Sequence, residues 1–188
     1  HGSLFEFLRN SALDARNFFD RRTALTPDRL QAFRRNNFGG SIGGPIKKDK
    51  TFFHAVYEGV RQRLGSTIVS PVIDPAAKVD GGLVPQISPL VKPLLTLFPD
   101  PNLPNNQYTF SFTQPTNESY FQTRIDHNVS TSDALFGRDT IDDARVITPR
   151  SYPQFRDNAQ SRSQYVTLSE NHVFSAVLLN TSRTSFSR

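Results

Sequence analysis

The sequence has no cysteine, no methionine and no tryptophan. Without cysteine there is no disulfide framework, no thiolate metal site and no cysteine nucleophile, although an oxidising compartment stays open to the protein. Without methionine there is no initiator residue; the chain is expected to be an internal piece of a longer one, so a missing signal peptide carries no weight. Apolar residues are scarce too, at 36% of 188 positions, where about 45–50% is usual for a packed domain. No apolar run reaches the roughly 18–20 residues of a membrane-spanning helix. The longest helix-like stretch, residues 87–98, is interrupted by Pro89 and Pro93. Helical membrane proteins are thereby excluded. Membrane β-strands are not, because their signal is only an alternation over about 9–11 residues.

Signatures of chemistry are missing as well. The histidines His1, His54, His127 and His172 never fall at metal-ligand spacing. Asp142-Asp143 lies outside any calcium-loop motif. There is no Gly-x-Ser-x-Gly, and neither Gly39-Gly40 nor Gly43-Gly44 leads into Gly-Lys-Ser/Thr and a helix. The expectation is a protein with no catalytic residues, no cofactor and no bound metal.

What is present is a formal charge of +5, 16 Phe, 5 Tyr and 13 Pro. The densest basic groups, Arg34-Arg35 and Lys47-Lys48-Asp49-Lys50, read as a loop and a solvated turn. A nucleic-acid footprint would be a stripe on one face, and no nucleic-acid partner is expected. Phe and Tyr interleave with Arg at strand period, and strands account for that interleaving.

Seven strand-like runs can be read. In residues 2–10, Phe5 and Phe7 share one parity with Ser3 and Arg9, while Leu4, Glu6 and Leu8 share the other. Residues 36–46 place Phe38, Gly40, Ile42, Gly44 and Ile46 together; their four glycines mark bends or close backbone approach. A polar turn leads into residues 51–63, and these two runs make a hairpin. Residues 120–129 alternate most cleanly, with Phe121, Thr123, Ile125, His127 and Val129 opposed by Gln122, Arg124, Asp126 and Asn128. Runs over 134–142, 161–172 and 177–187 follow. Between the third and fourth runs lie residues 64–118, with nine of the thirteen prolines. A strandless stretch of that length is functional or disordered by the usual rule. Within it, residues 88–98 form a short helix, with Leu90, Leu94, Leu95 and Phe98 on one side and Pro99 ending it.

The connections therefore alternate long, short, long, short, long, short. A membrane barrel gives a reason for that order, since its turns on one side are short and its loops on the other are long. The predicted fold is all-β: antiparallel up-and-down strands forming part of a transmembrane barrel, an open curved sheet of about seven strands. One face meets lipid and the other a hydrated lumen, whose candidate polar lining is Glu6, Gln122, Arg124, Asp126 and Arg138. Seven strands alone leave two unpaired edges, in keeping with a partial barrel domain over residues 1–188.

Several segments resemble Oar-like TonB-dependent receptors. They are His1-Gly2-Ser3-Leu4-Phe5-Glu6-Phe7-Leu8-Arg9-Asn10 and Asn17-Phe18-Phe19-Asp20, then Arg35-Asn36-Asn37-Phe38-Gly39-Gly40-Ser41-Ile42-Gly43-Gly44-Pro45-Ile46. Lys47 to Phe53, Tyr57-Glu58-Gly59, Phe98-Pro99-Asp100-Pro101-Asn102, Arg124-Ile125-Asp126-His127 and Asp133-Ala134-Leu135-Phe136-Gly137-Arg138 extend the likeness over nearly the whole chain. The resemblance implies the outer membrane of a Gram-negative bacterium and the start of a 22-stranded barrel. It implies as partners outer-membrane lipid and lipopolysaccharide, a plug domain, the TonB complex through an N-terminal part outside this chain, and an unidentified transported substrate. It makes residues 47–50, 130–133 and 173–176 periplasmic turns, and residues 11–34, 64–118 and 144–160 extracellular loops, with ligand contacts expected in 64–118. Two positions depart from the family pattern. Asp139 stands where an aromatic residue is expected, and Ser182 and Thr184 make the seventh strand weakly apolar. The competing readings are a secreted β-sandwich interaction module without membrane contact and a basic RNA-binding protein.

Overall fold

Side chains that alternate in polarity along an extended chain can satisfy two different surroundings at once, provided each strand holds its register with the next. In the computed structural model, which describes residues 1–15 and 32–188, seven strands do this in one sheet. They are β1 (Gly2–Asn10), β2 (Phe33–Lys47), β3 (Thr51–Pro71), β4 (Gln107–Asn128), β5 (Asp133–Pro149), β6 (Arg156–Ser175) and β7 (Leu178–Ser187). Every neighbour in sequence is a neighbour in space, antiparallel, in the order β1-β2-β3-β4-β5-β6-β7. The Asn17-Phe18-Phe19-Asp20 motif and most of the first long loop lie outside the described residues.

The up-and-down sheet is as predicted, but its strands are longer than the alternation alone indicated. β3 and β4 have 21 and 22 residues, about 70 Å each at roughly 3.3 Å per residue. A membrane crossing takes only about 9–11 residues. The expected strandless stretch, 64–118, is thus corrected at both ends: Leu64 to Pro71 pairs with Gln107 to Gln114. Likewise the loop expected over 144–160 narrows to 150–155, because Ala144 to Pro149 pairs with Arg156 to Ser161.

Proline dictates where the sheet divides. β4 pairs with β5 only up to Thr116↔Val146. The next residue along β4 is Pro115, which has no N–H to give a neighbour. Pro115 still faces Arg63 of β3, so it occupies a strand with one free side, the place where a sheet tolerates proline. Beyond this point the sheet splits into two ribbons, β3–β4 and β5–β6. At the opposite end the turns are tight; Asp49 adopts φ 58° to close the one between β2 and β3.

The described residues form no second layer. The buried apolar side chains among the described residues are Val72 and Ile87, both in the 72–106 segment, so the sheet packs neither of its faces against another sheet. The sandwich reading fails on this observation, since a sandwich core is made by two facing sheets.

The glycine-rich β2 is explained by close approach. A Cβ on Gly39 would lie 2.5 Å from the Tyr57 carbonyl oxygen and 2.8 Å from the Phe5 ring, whereas one on Gly44 would meet nothing within 4 Å. Gly39→Val is therefore expected to cost about 1–3 kcal/mol, the scale of an overpacked site, and Gly44→Val to be close to neutral. Urea unfolding of the two variants in detergent, followed by far-ultraviolet circular dichroism, checks the contrast.

Candidate functional site

Registers assign every strand residue to a face. Taking β4 as reference, Phe121 and Ile125 lie level with Tyr57 and Phe53 on β3 and with Ile141 and Gly137 on β5. Val166 and Leu168 of β6 and Phe186 of β7 continue this apolar face, and Phe38, Ile42, Leu4 and Leu8 extend it through β2 and β1. Many of these side chains are open to the surroundings, among them Leu4 at 91% and Leu168 at 60% exposure.

Four of the five predicted lining residues share the opposite face. Gln122, Arg124 and Asp126 follow one another along β4, and Arg138 stands directly across from Arg124 on β5. Glu6 does not join them. It pairs with Phe38 between Leu4 and Leu8, which puts it on the apolar face, at a groove lined by Leu4, Phe38, Gly40, Ile42 and Tyr57. The two-residue period decides this: Glu6 has the parity of the leucines, and Phe5 and Phe7 have the polar face instead.

The polar face is held by ionic and aromatic contacts. Arg124 donates from Nε and Nη2 to the Asp126 carboxylate at 2.8 and 2.6 Å and lies 4.2 Å over the Phe136 ring. Arg183 of β7 approaches the same ring at 5.9 Å. The Tyr120 hydroxyl donates to Gln122 Oε1 at 3.0 Å. His54, Glu58, Glu118, Asp142 and Arg183 also belong to this face by register; parity counted outward from residues 120–129 would have found them. Asp142 and Asp143 point to opposite faces as strand neighbours must, so the pair cannot chelate one cation.

Asp139 sits on the apolar face between Thr123 and Val166. Its Oδ1 accepts from Gln164 Nε2 at 3.2 Å, which supplies a polar neighbour at an otherwise costly position. Ser182 and Thr184 are on the same face, opposite Glu170 and Leu168, so β7 keeps its register and is simply less apolar there.

The 72–106 segment forms an ordered cap on the β3–β4 ribbon. Its helix is one turn, α1 (Lys92–Leu95), much shorter than residues 88–98; a preceding 3₁₀ turn covers Pro75–Ala77. Side chains bonding to backbone replace regular structure here. Lys78 Nζ donates to the Phe98 carbonyl at 2.8 Å and to Asp100 at 2.8 Å. Asn102 bridges both backbone groups of Thr109, at 2.8 and 2.7 Å. Asp80 accepts from the Ile87 amide at 2.7 Å and from Lys92. Tyr152, in the 150–155 turn, donates to the Pro71 carbonyl at 2.8 Å and packs edge-on against Phe98 at 5.7 Å. The tips of the two ribbons are clasped in this way.

The carboxyl groups of Asp80 and Asp74 are held below the usual carboxylate range, Asp80 first by Lys92 and then by the Ile87 amide, Asp74 by the Ala76 amide and Asn106. A carboxylate favoured in the folded state stabilises fully above its unfolded pKa of about 3.9, and that contribution is lost as pH falls through the lower folded value. The cap is expected to stay intact at neutral and mildly acidic pH and to loosen below the ordinary carboxylate range. Hydrogen exchange at the Ile87 amide, corrected for intrinsic rate, measures this; Asp80→Asn should lose protection there already at pH 7.

Neither the curated proteins nor the solved structures contain a match to this chain. A family model described as an outer membrane beta barrel domain matches residues 1–188. That match agrees with the two-faced sheet of antiparallel strands and with the tight β2–β3, β4–β5 and β6–β7 turns that share one end. The chain is a member of the outer membrane beta barrel domain family, and its place is the outer membrane.

Proposed function

We propose that this chain is a wall sector of an Oar-like TonB-dependent receptor, which takes up a substrate across the outer membrane with energy delivered from the inner membrane. The reading draws on the residue resemblance given above. One structural observation carries it: among the described residues, β1 and β7 each have a partner on one side only. Backbone groups inside a bilayer need internal partners, so these edges call for further strands and a wider barrel.

On this reading the apolar face meets acyl chains and the polar face lines the lumen. Gln122, Arg124, Asp126 and Arg138 are lumen residues and Glu6 is withdrawn from that set. Asn37 Oδ1 and Asp142 Oδ1 also face this side, shielded and without a hydrogen-bond partner among the described residues; water or a plug docked in the lumen would satisfy them. The residues bind, line and orient, and none carries out a catalytic step. The cap and the 150–155 turn form the outer rim, where a substrate is first met.

Two outcomes are expected. Since the chain has no cysteine, single introduced thiols report topology cleanly. A membrane-impermeant maleimide should label Ser151→Cys on intact cells, and Asp49→Cys only after the outer membrane is permeabilised. Second, comparing spent medium from wild-type and gene-deleted cells should reveal a compound whose depletion needs the gene and stops when a protonophore collapses the proton gradient. Gene-dependent depletion that ignores the protonophore would mark a passive channel and overturn energised uptake.

A further inference from the structure

Just beyond the apolar band, at its long-loop end, the same outward parity turns basic. On β2 the second outward position past Phe38 is Arg34; on β3 the second past Tyr57 is Arg61, followed by Arg63. On β5 the second past Ile141 is Arg145, and on β6 the second past Val166 is Arg162. The spacing repeats on every strand from β2 to β6 except β4, where Asn117 takes the position and pairs with both Arg61 and Arg145. Among the described residues, Asp143 is the one acidic side chain within this row, opposite Arg162. None of the ion pairs among the described residues involves any of the five arginines.

Two features favour an anion over mere solvation. Arg34 and Arg63 stand directly opposite each other across a strand pair, where Cβ atoms are about 4.5–5.5 Å apart and like charges repel. A shared anion removes that penalty. The guanidiniums are also pre-positioned. Arg61 donates to the Glu118 carbonyl and, from Nη2, to Ser119 Oγ at 2.9 Å, and lies 5.7 Å over the Phe38 ring. Arg63 Nη1 donates to Asn117 Oδ1 at 2.9 Å. Each keeps N–H groups free, because a guanidinium has five donors.

Depth identifies the anion. Two outward positions are four residues, about 13 Å along a strand at roughly 3.3 Å per residue and about 9 Å in depth at a tilt near 45°. The polar headgroup layer begins where the hydrocarbon ends and is about 5–8 Å thick, and arginine stems bend back along apolar surface to reach it. We infer that Arg34, Arg61, Arg63, Arg145 and Arg162 form an outward belt that binds the phosphate groups of the outer-leaflet glycolipid, the acylated, phosphorylated glucosamine of lipid A. Paired guanidinium donors fit phosphate oxygens bidentately, and the apolar residues directly below them receive the acyl chains of the same molecule. The inference rests on the proposed orientation, with the long-loop end outward.

The test uses the full-length protein in detergent with added lipid A, retention being counted by native mass spectrometry. Arg145→Gln/Arg162→Gln is the principal variant, since both side chains are exposed and make no hydrogen bond among the described residues; Arg61→Gln/Arg63→Gln is the second. Each is expected to weaken lipid A binding about tenfold or more, the scale of lost charge-assisted contacts, with an unchanged melting midpoint for the first. Lys47→Gln/Lys48→Gln/Lys50→Gln, at the tight-turn end, should bind as wild type does. Undiminished binding by Arg145→Gln/Arg162→Gln overturns the belt, as does equal binding of lipid A stripped of its phosphates. Displacement by millimolar inorganic phosphate would mark an ion site and overturn the lipid assignment. Surface labelling at Ser151→Cys separates the two readings: labelling with unchanged lipid binding sinks the belt alone, while absent labelling sinks the orientation.

Discussion

Backbone pairing is the constraint from which the remaining architecture follows. In a bilayer no solvent is available to an unpaired N–H or C=O, so a strand must be bonded along its length to its neighbours. Once the ladders are fixed, the register is fixed, and the face on which each residue stands is no longer free. Arg124 and Ile125 are adjacent in sequence, yet one stacks on Phe136 and reaches Asp126 while the other stands in the apolar row with Phe53 and Gly137. Neither placement depends on a folded core. Val72 and Ile87, the buried apolar side chains of the described residues, belong to the cap rather than to the wall.

The same constraint accounts for two of the exceptions on the apolar face. Glu6 and Asp139 cannot turn to the polar side without a register slip that would carry Leu4, Leu8, Ile141 and Leu135 with them. Asp139 is accommodated locally through Gln164. Glu6 occupies β1 opposite Phe38, at a groove lined by Leu4, Phe38 and Gly40. A single misplaced charge is the cheaper fault when the alternative is inverting a whole strand.

The sheet, its strand order and its two-faced pattern were legible in the sequence because period-two alternation needs only local information. β1 was read at its full extent, and the β4 faces residue by residue. In the upper halves of β3 and β4 the density of proline masks the strand signal, although Tyr108, Phe110 and Phe112 alternate with Thr109, Ser111 and Thr113. Pro115 reads as a breaker until its neighbour is known; only the pairing shows that the side of β4 it blocks has no partner to lose. The charge of Glu6 points to the lumen, whereas its parity goes with the leucines. The arginine row was hidden for a different reason. Its members are scattered from position 34 to 162, and only the registers align them.

The division of the sheet at Pro115 separates what must stay sealed from what is free to vary. Below it, any inserted or deleted residue disturbs bonds on both sides of a strand. Above it, each ribbon carries its own ladder, and the crown is joined across the gap by a few contacts such as Tyr152 with Pro71 and Phe98. Descendants of this gene can lengthen, shorten or exchange the crown while the embedded portion goes on assembling as before, so the fold offers evolution a replaceable head on a fixed shaft.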